Sequence, residues 1–307
     1  MKYMVFDVGG TDIKYSVMDE GLNRYAEGTV PTPMESRQAF LHVLQEIYLP
    51  HKDEVEAIAV SLPGFIDSGK GRCNGGGALV YNHQQDVGPE LEKICGCPVH
   101  LDNDGKCAAM AELWKGSLKG CQNACVFLIG TGVGGGLVID GKLVKGTHFT
   151  AGEFSFLMVN ANQWEDFDST MAGQCSTTAL LSLYRNYKGL PKGEAVNGKQ
   201  LFERFHEGEE EARKALDTFC HNIAIQVYNL TTLLDLEKVA IGGGVSRQPV
   251  LIEKISQCVE EIYENSPCRD MGVTLNRAQV VPCHFSSEAN QVGALYSYMA
   301  AKGLVNG

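Results

Sequence analysis

Nowhere in these 307 residues does an apolar run approach the ~20 residues that a membrane-spanning helix needs, so no membrane partner is expected. Basic clusters are missing as well. The 26 Lys and Arg are spread thinly against 37 Asp and Glu, for a net charge of −11. Counterion release therefore has little to act on, which excludes nucleic acid as an expected partner. The eleven cysteines are scattered from Cys73 to Cys283, and the one close pair, Cys95 and Cys97, flanks a single glycine. Neither a disulfide framework nor a zinc site is spaced that way, and free thiols in a reducing compartment are expected. A Gly-Lys-Ser/Thr phosphate loop is also absent. The chain opens straight into a strand-like run, Lys2 to Phe6, with no apolar leader, and a cytoplasmic location is expected.

What the chain does have is a repeat. Val5 to Leu22 (VFDVGGTDIKYSVMDEGL) returns without a gap as Val126 to Leu143 (VFLIGTGVGGGLVIDGKL), and each copy reads as strand, glycine turn, strand. Glycine turns let backbone N–H groups approach an anion, so two such turns predict a duplicated nucleotide-binding α/β fold with a phosphate between them. Only the first copy ends its strand in a carboxylate, Asp7, where the second has Leu128. That asymmetry predicts a metal on one side.

Around the repeat the first half reads βββαβαβα. Phe40, Val43, Leu44, Ile47 and Tyr48 follow a helical stripe, Glu56 to Ser61 and Pro98 to Leu101 read as strands, and a helix is expected from about Gly105 to Trp114. Helices are also expected at 209–234, 249–264 and 288–301, strands at 238–241 and 279–283, and an exposed loop at 186–199.

Five segments carry chemistry. In Asp7-Val-Gly-Gly-Thr11 with Lys14, the carboxylate suits a hydrated magnesium ion and the glycines a phosphate, although Gly-Gly between strands also makes an ordinary hairpin. Gly130-Thr-Gly-Val-Gly-Gly-Gly136 holds more glycine than a structural turn needs. Asp102-Asn-Asp104 ends a strand, where it offers either a base with an orienting neighbour or a helix cap. Glu153 is equally ambiguous, since a lone glutamate after glycine is usually a solvated surface residue. Gly242-Gly-Gly244 reads as an opening for adenosine or as a close backbone contact.

In this order, the five segments resemble the ROK family of sugar kinases, within the actin, hexokinase and chaperone ATPase superfamily. The resemblance implies a duplicated ribonuclease-H-like, actin-like ATPase fold of two α/β lobes with a central cleft. Residues 1–118 would form a small lobe completed by a C-terminal helix at 289–307, and residues 119–288 a large lobe. It also implies an ATP-dependent kinase that moves the γ-phosphoryl group to a hexose or hexoside hydroxyl, O6, with ATP and Mg2+ as cofactors. Asp104 would be the general base. Asp7 would hold magnesium through water, and Gly9, Gly10, Thr11 and Lys14 would line the phosphate path. Thr131 and Gly132 would meet the β- and γ-phosphates, and Gly243 and Gly244 the adenosine. Gly77, Asn82, Asn103, Asp104 and Glu153 would contact the sugar.

Two departures narrow the resemblance. Glu153 is followed by Phe154-Ser-Phe156 rather than by histidine, and Cys175 is the one cysteine between Cys125 and Cys220, so a structural zinc loop cannot be assembled locally. Together with the Asn74–Leu79 and Ser176–Leu181 segments, this is similar to the zinc-less β-glucoside kinases, with a β-glucoside, glucose or N-acetylmannosamine as the substrate. Phe154 and Phe156 predict a more apolar or longer-reaching pocket. The rival readings are a sugar-responsive repressor, for which no helix-turn-helix precedes Asp7, and a non-catalytic sugar sensor of the same fold, against which Asp104 argues. A homodimer is the default assembly.

Overall fold

The computed structural model describes residues 1–191 and 193–305. Position 192 of the expected 186–199 loop and positions 306–307 of the expected final segment lie outside that set. The main elements, in chain order, are β1 (Lys2–Val8), β2 (Asp12–Asp19), β3 (Arg24–Pro31), α1 (Arg37–Tyr48), β4 (Ile58–Leu62), β5 (Phe65–Asp67), β6 (Arg72–Gly75), α2 (Val87–Cys95), β7 (Val99–Asn103) and α3 (Asp104–Lys115). They continue with β8 (Ala124–Ile129), β9 (Val133–Ile139), β10 (Lys142–Val144), α4 (Met171–Cys175), α5 (Thr177–Lys188), α6 (Gly198–His206), α7 (Glu210–Leu234), β11 (Lys238–Gly242), α8 (Pro249–Glu264), β12 (Gln279–Pro282) and α9 (Ala289–Ala301).

The chain divides into two compact units. One comprises Met1–Lys119, Lys142–Ala151 and the chain from Phe285 onward; the other comprises Gly120–Gly141 and Gly152–His284. Segment 142–151 therefore goes with the first unit, although sequence places it inside the second. Lys145 ties it there, donating to Ser68 Oγ and to Asp102 Oδ2, each at 2.6 Å.

In the first unit the strand order is β3-β2-β1-β4-β7, with β2 antiparallel to β1 and with β4 and β7 parallel. Period-two alternation along β1 sends Met4, Phe6 and Val8 into a core shared with Phe40, Leu44 and Tyr48 of α1 and Leu91 of α2. Tyr3 and Asp7 take the opposite face, where Tyr3 meets Tyr298 of α9 with ring centroids 5.4 Å apart and Asp7 meets Asn290. Each fully buried Leu or Phe of such a core contributes roughly 1.5–3 kcal/mol. The β5–β6 hairpin does not stand out in the sequence, because its strands are short and bounded by Gly64, Gly69 and Gly71.

The second unit repeats the plan, in the order β9-β8-β11-β12 with β9 antiparallel to β8 and the rest parallel. Its core lies under α7, where Ala212, Ala215, Leu216, Phe219, Cys220, Ile223, Val227 and Leu230 keep helical spacing. The two copies of the sequence repeat are thus the hairpins β1–β2 and β8–β9. Helices α4, α5 and α6 occupy a stretch where no helix was expected, and they flank rather than replace the expected 186–199 loop. No described helix is long and apolar enough to cross a membrane.

Candidate active site

Asp7, Ser61 and Asp102 are register partners across β1, β4 and β7, so the carboxyl ends of three parallel strands bring two carboxylates into one row. Helix α9 holds both from behind. Asn290 Nδ2 donates to Asp7 Oδ1 at 2.9 Å, and Ser297 Oγ donates to Asp102 Oδ2 at 2.6 Å. Seven residues separate Asn290 from Ser297, two turns on one helical face. Burial raises the Asp7 carboxyl above its usual range, opposed by the Asn290 hydrogen bond and by Lys14, whose Nζ lies 3.9 Å away. The β1–β2 register places Lys14 directly opposite Asp7. A desolvated carboxylate held by one amide and one ammonium fits the water shell of a magnesium ion, which needs one or two protein carboxylates and no closed cage. Among the described residues, no three His, Cys, Asp or Glu side chains converge on a metal position.

Gly9, Gly10 and Thr11 form the β1–β2 turn. Gly9 N donates to Asp12 O at 2.9 Å, and Thr32 braces the turn from outside through Gly9 O and Thr11 O. Gly10, Thr11 and Lys14 are exposed.

Asp102 is fully buried. Its Oδ2 takes Lys145 and Ser297, while its Oδ1 takes the Asn103 backbone N–H at 3.0 Å. Asn103, rather than Asp104, is the N-cap of α3: its Oδ1 accepts from Lys106 N at 3.0 Å. Both amide hydrogens of Asn103 are engaged as well, one by Gly64 O at 2.8 Å and one by Asp104 Oδ1 at 3.0 Å. Gly105 N donates to the same Asp104 oxygen at 2.7 Å. Asp104 is therefore the first helical residue, half-buried, with its carboxylate oriented by two donors that the helix start supplies.

Because Ser297 Oγ spends its hydrogen on Asp102, it accepts from His100 Nε2 at 2.8 Å, which puts a proton on Nε2. Burial pushes His100 down to about 4, against the pull of Asp102. The unfolded chain takes this proton first on acidification. Stability is therefore complete above the ordinary value near 6.5 and is lost as pH falls through it towards 4. Urea unfolding at pH 7 and pH 5 should show a larger drop for the wild type than for His100→Gln, which keeps a donor for Ser297 but cannot take a proton. Equal drops would contradict this assignment.

Asn82 is fully buried, yet neither its Oδ1 nor its Nδ2 has a partner among the described residues. Leaving such a group unpaired costs ~1–3 kcal/mol, so this amide calls for a partner beyond the described residues. Gly77 lies exposed in the turn that leads to it.

In the second unit, Thr131 and Gly132 form the β8–β9 turn, closed by Gly130 N donating to Gly132 O at 2.9 Å. Sequence patterning missed two supports of this turn. Ser155 Oγ accepts from Val133 N at 2.9 Å and donates back to Val133 O at 3.2 Å. The first residues of α5 also pack on the turn: Thr177 N donates to Gly130 O at 2.8 Å and Thr178 Oγ1 to Thr131 O at 3.3 Å. Ser176 caps α5 through Ala179 N, so the positive end of a twelve-residue helix lies at a glycine turn, an arrangement that favours anions. A serine followed by Thr-Thr-Ala-Leu-Leu was the available signal for that helix start.

Of the triple glycine, Gly243 is a close backbone contact: its φ is 96°, and a Cβ there would lie 2.1 Å from Ile129 O. At Gly244 a Cβ would meet nothing within 4 Å, which leaves room for a ligand. Glu153 is half-buried at the start of the turn 154–156. The apolar pocket expected from Phe154 and Phe156 is not formed by these two rings. Phe154 is core, edge-on to Phe127 at 4.9 Å, and Phe156 is 66% exposed. A ring placed one residue after Glu153 follows the short helical turn inward and fills the space behind β8.

A family model described as "ROK family" matches residues 3–300. The chain is 31% identical over 269 residues to the N-acetyl-D-glucosamine kinase of Vibrio atlanticus (strain LGP32), covering 82% of this chain and 87% of that protein. It is also 31% identical over 262 residues to the beta-glucoside kinase of Klebsiella pneumoniae, covering 84% and 86%. Among solved structures, a ROK family protein from Streptococcus pneumoniae TIGR4 in complex with sucrose superposes with a TM-score of 0.87 at 24% identity, over 99% of this chain and 100% of that one, a likeness of fold. With the repeat, the paired hairpins and a match across nearly its whole length, the chain belongs to the ROK family.

Proposed function

We infer that this chain is an ATP-dependent sugar kinase whose acceptor is O6 of a hexose or hexoside, and that Asp104 is its general base. One observation carries the reading: the Asp104 carboxylate is fixed by Asn103 Nδ2 and Gly105 N at a strand end, in the unit that also holds the unpartnered amide of Asn82. In the reaction, the Asp104 carboxylate takes the hydroxyl proton, the sugar oxygen bonds to the γ-phosphorus, and the bond to the β-phosphate oxygen breaks to release ADP. Asn82, Gly77 and Glu153 contact sugar hydroxyls. Asn103, with both amide hydrogens engaged, serves chiefly to orient Asp104 and offers its Oδ1 to the sugar.

Gly9, Gly10, Thr11 and Lys14 line the phosphate path, Thr131 and Gly132 meet the β- and γ-phosphates, and Gly243 with Gly244 borders the adenosine. Asp7 would hold magnesium through water, and the bound ion would offset charge on the phosphate oxygens. A beta-glucoside kinase and an N-acetyl-D-glucosamine kinase among the relatives support a hexose or hexoside over other acceptors. The reading also includes a cytoplasmic enzyme that assembles as a homodimer, for which exposed Phe156, Trp164 and Phe167 offer apolar surface.

A coupled ADP-release assay with glucose, mannose, N-acetylmannosamine, cellobiose and gentiobiose tests the proposal. Sugar-dependent ADP release is expected for at least one of them. No ADP release with any sugar would favour the rival reading, a non-catalytic sensor, and ADP release that no sugar stimulates would make the protein an ATPase rather than a sugar kinase.

A further inference from the structure

The first unit contains a cavity of about 580 Å³ that none of the roles above uses, lined by Asp67, Lys70, Arg72, Asn74, Gln84, Thr147, His148 and Phe149. Its size lies in the range of small-molecule sites. One wall is the β5–β6 hairpin and the other is the turn 146–149, and Lys145 fastens them together through Ser68 at 2.6 Å. The same ammonium bonds Asp102, two residues before Asp104, and Asn103 bonds Gly64, one residue before β5. Both walls are thus tied to the strand end that carries the proposed base.

The lining selects a ligand class. Its cations are already matched, Lys70 by Asp67 at 3.8 Å and Arg72 by Asp86 at 2.7 Å, so the cavity is not an anion trap. What it offers besides is the Asn74 and Gln84 amides, the Asp67 carboxylate, the Thr147 hydroxyl and the His148 imidazole beside the Phe149 ring. That combination recognises a neutral polyol, with planar polar groups pairing with hydroxyls and an aromatic face against C–H bonds.

The backbone is also strained at this cavity. Five described non-glycine residues have left-handed φ: Leu22, Gln84, Asp140, Phe149 and Asp235. Leu22 and Asp140 sit in tight turns between strands, and Asp235 is the C-cap of α7. The remaining two, Gln84 at 56° and Phe149 at 62°, both line this cavity. Both lie in turns, where Gln85 N donates to Asn82 O at 3.1 Å and Phe149 N to Gly146 O at 3.4 Å, and at ~1–3 kcal/mol per residue these turns place two non-glycine side chains at the cavity.

We propose that this cavity is a subsite for the non-reacting glycosyl ring of a glycoside substrate, with Gln84, Asn74 and Asp67 taking its hydroxyls and Phe149 its C–H face. The proposal rests on the kinase reading above and deepens it, choosing the hexoside over the free hexose and naming the residues that hold its second ring.

Phe149→Gly and Gln84→Gly test it. Glycine accepts left-handed φ without strain, so both variants should unfold at the same or a higher temperature than the wild type. With ATP saturating, each should lose about tenfold or more in kcat/KM for cellobiose or gentiobiose, the equivalent of one lost contact, while kcat/KM for glucose stays within about twofold. Equal losses on disaccharide and monosaccharide, no change on either, or a wild-type enzyme that phosphorylates glucose and neither disaccharide would each overturn the subsite while leaving the kinase reading standing. ADP release that no sugar stimulates would remove both.

Discussion

Asp104→Asn is expected to lower turnover by on the order of 10²–10⁴ while sugar affinity changes little. The amide is isosteric. Its oxygen can still accept from Asn103 Nδ2 and Gly105 N, the two bonds that orient the side chain at the start of α3, but it cannot take a proton. The substitution therefore separates geometry from chemistry. Sugar binding measured by calorimetry should survive, thermal unfolding should be unchanged, and only the rate should fall. Turnover near that of the wild type would exclude Asp104 as the base. Loss of sugar binding in step with turnover would make it a ligand rather than a base.

The second large effect is structural. At Gly135 in β9, φ is 146° and a Cβ would lie 1.8 Å from Val126 O on the neighbouring strand. No side-chain movement relieves a clash between a Cβ and backbone, so Gly135→Ala must displace β9 from β8. It is expected to cost on the order of 3 kcal/mol or more in urea unfolding, and to disturb the Thr131–Gly132 turn that the hairpin carries. Gly130→Ala is the control: a Cβ there meets nothing within 4 Å, so its stability should stay within ~0.5 kcal/mol of the wild type. Equal losses for the two variants would show that glycine content, and not this contact, sets the stability of the hairpin.

Much of this was legible in the sequence because it rests on local pattern. The repeat that begins at Val5 and again at Val126 is two hairpins, and the stripe Phe40, Leu44, Tyr48 is the inner face of α1. The Asp102–Asp104 segment left two readings open, a base with its orienting neighbour or a helix cap. Only the hydrogen bonds show that Asn103 takes the cap and also orients Asp104.

Other features escaped because they are long-range. Nothing near Lys145 in sequence announces a bond to Asp102, and nothing near Ser297 announces one to the same carboxylate. The same is true of Asn290 and Asp7, which are 283 residues apart. The cavity walled by β5–β6 and the turn 146–149 was invisible for the same reason, with the added difficulty that its strands are too short for periodicity to register. Phe154 shows the opposite failure. An aromatic ring beside a candidate ligand reads as pocket lining, and whether it turns inward is decided by packing against Phe127 rather than by its place in the chain.

The most direct test is phosphorus NMR of a reaction containing the wild-type protein, ATP, magnesium and a hexose or hexoside that stimulates ADP release. The account predicts one new phosphomonoester, coupled to the C6 protons and formed in step with ADP, and its formation slowed by on the order of 10²–10⁴ with Asp104→Asn. Inorganic phosphate as the sole product, or an ester at another carbon, would contradict it.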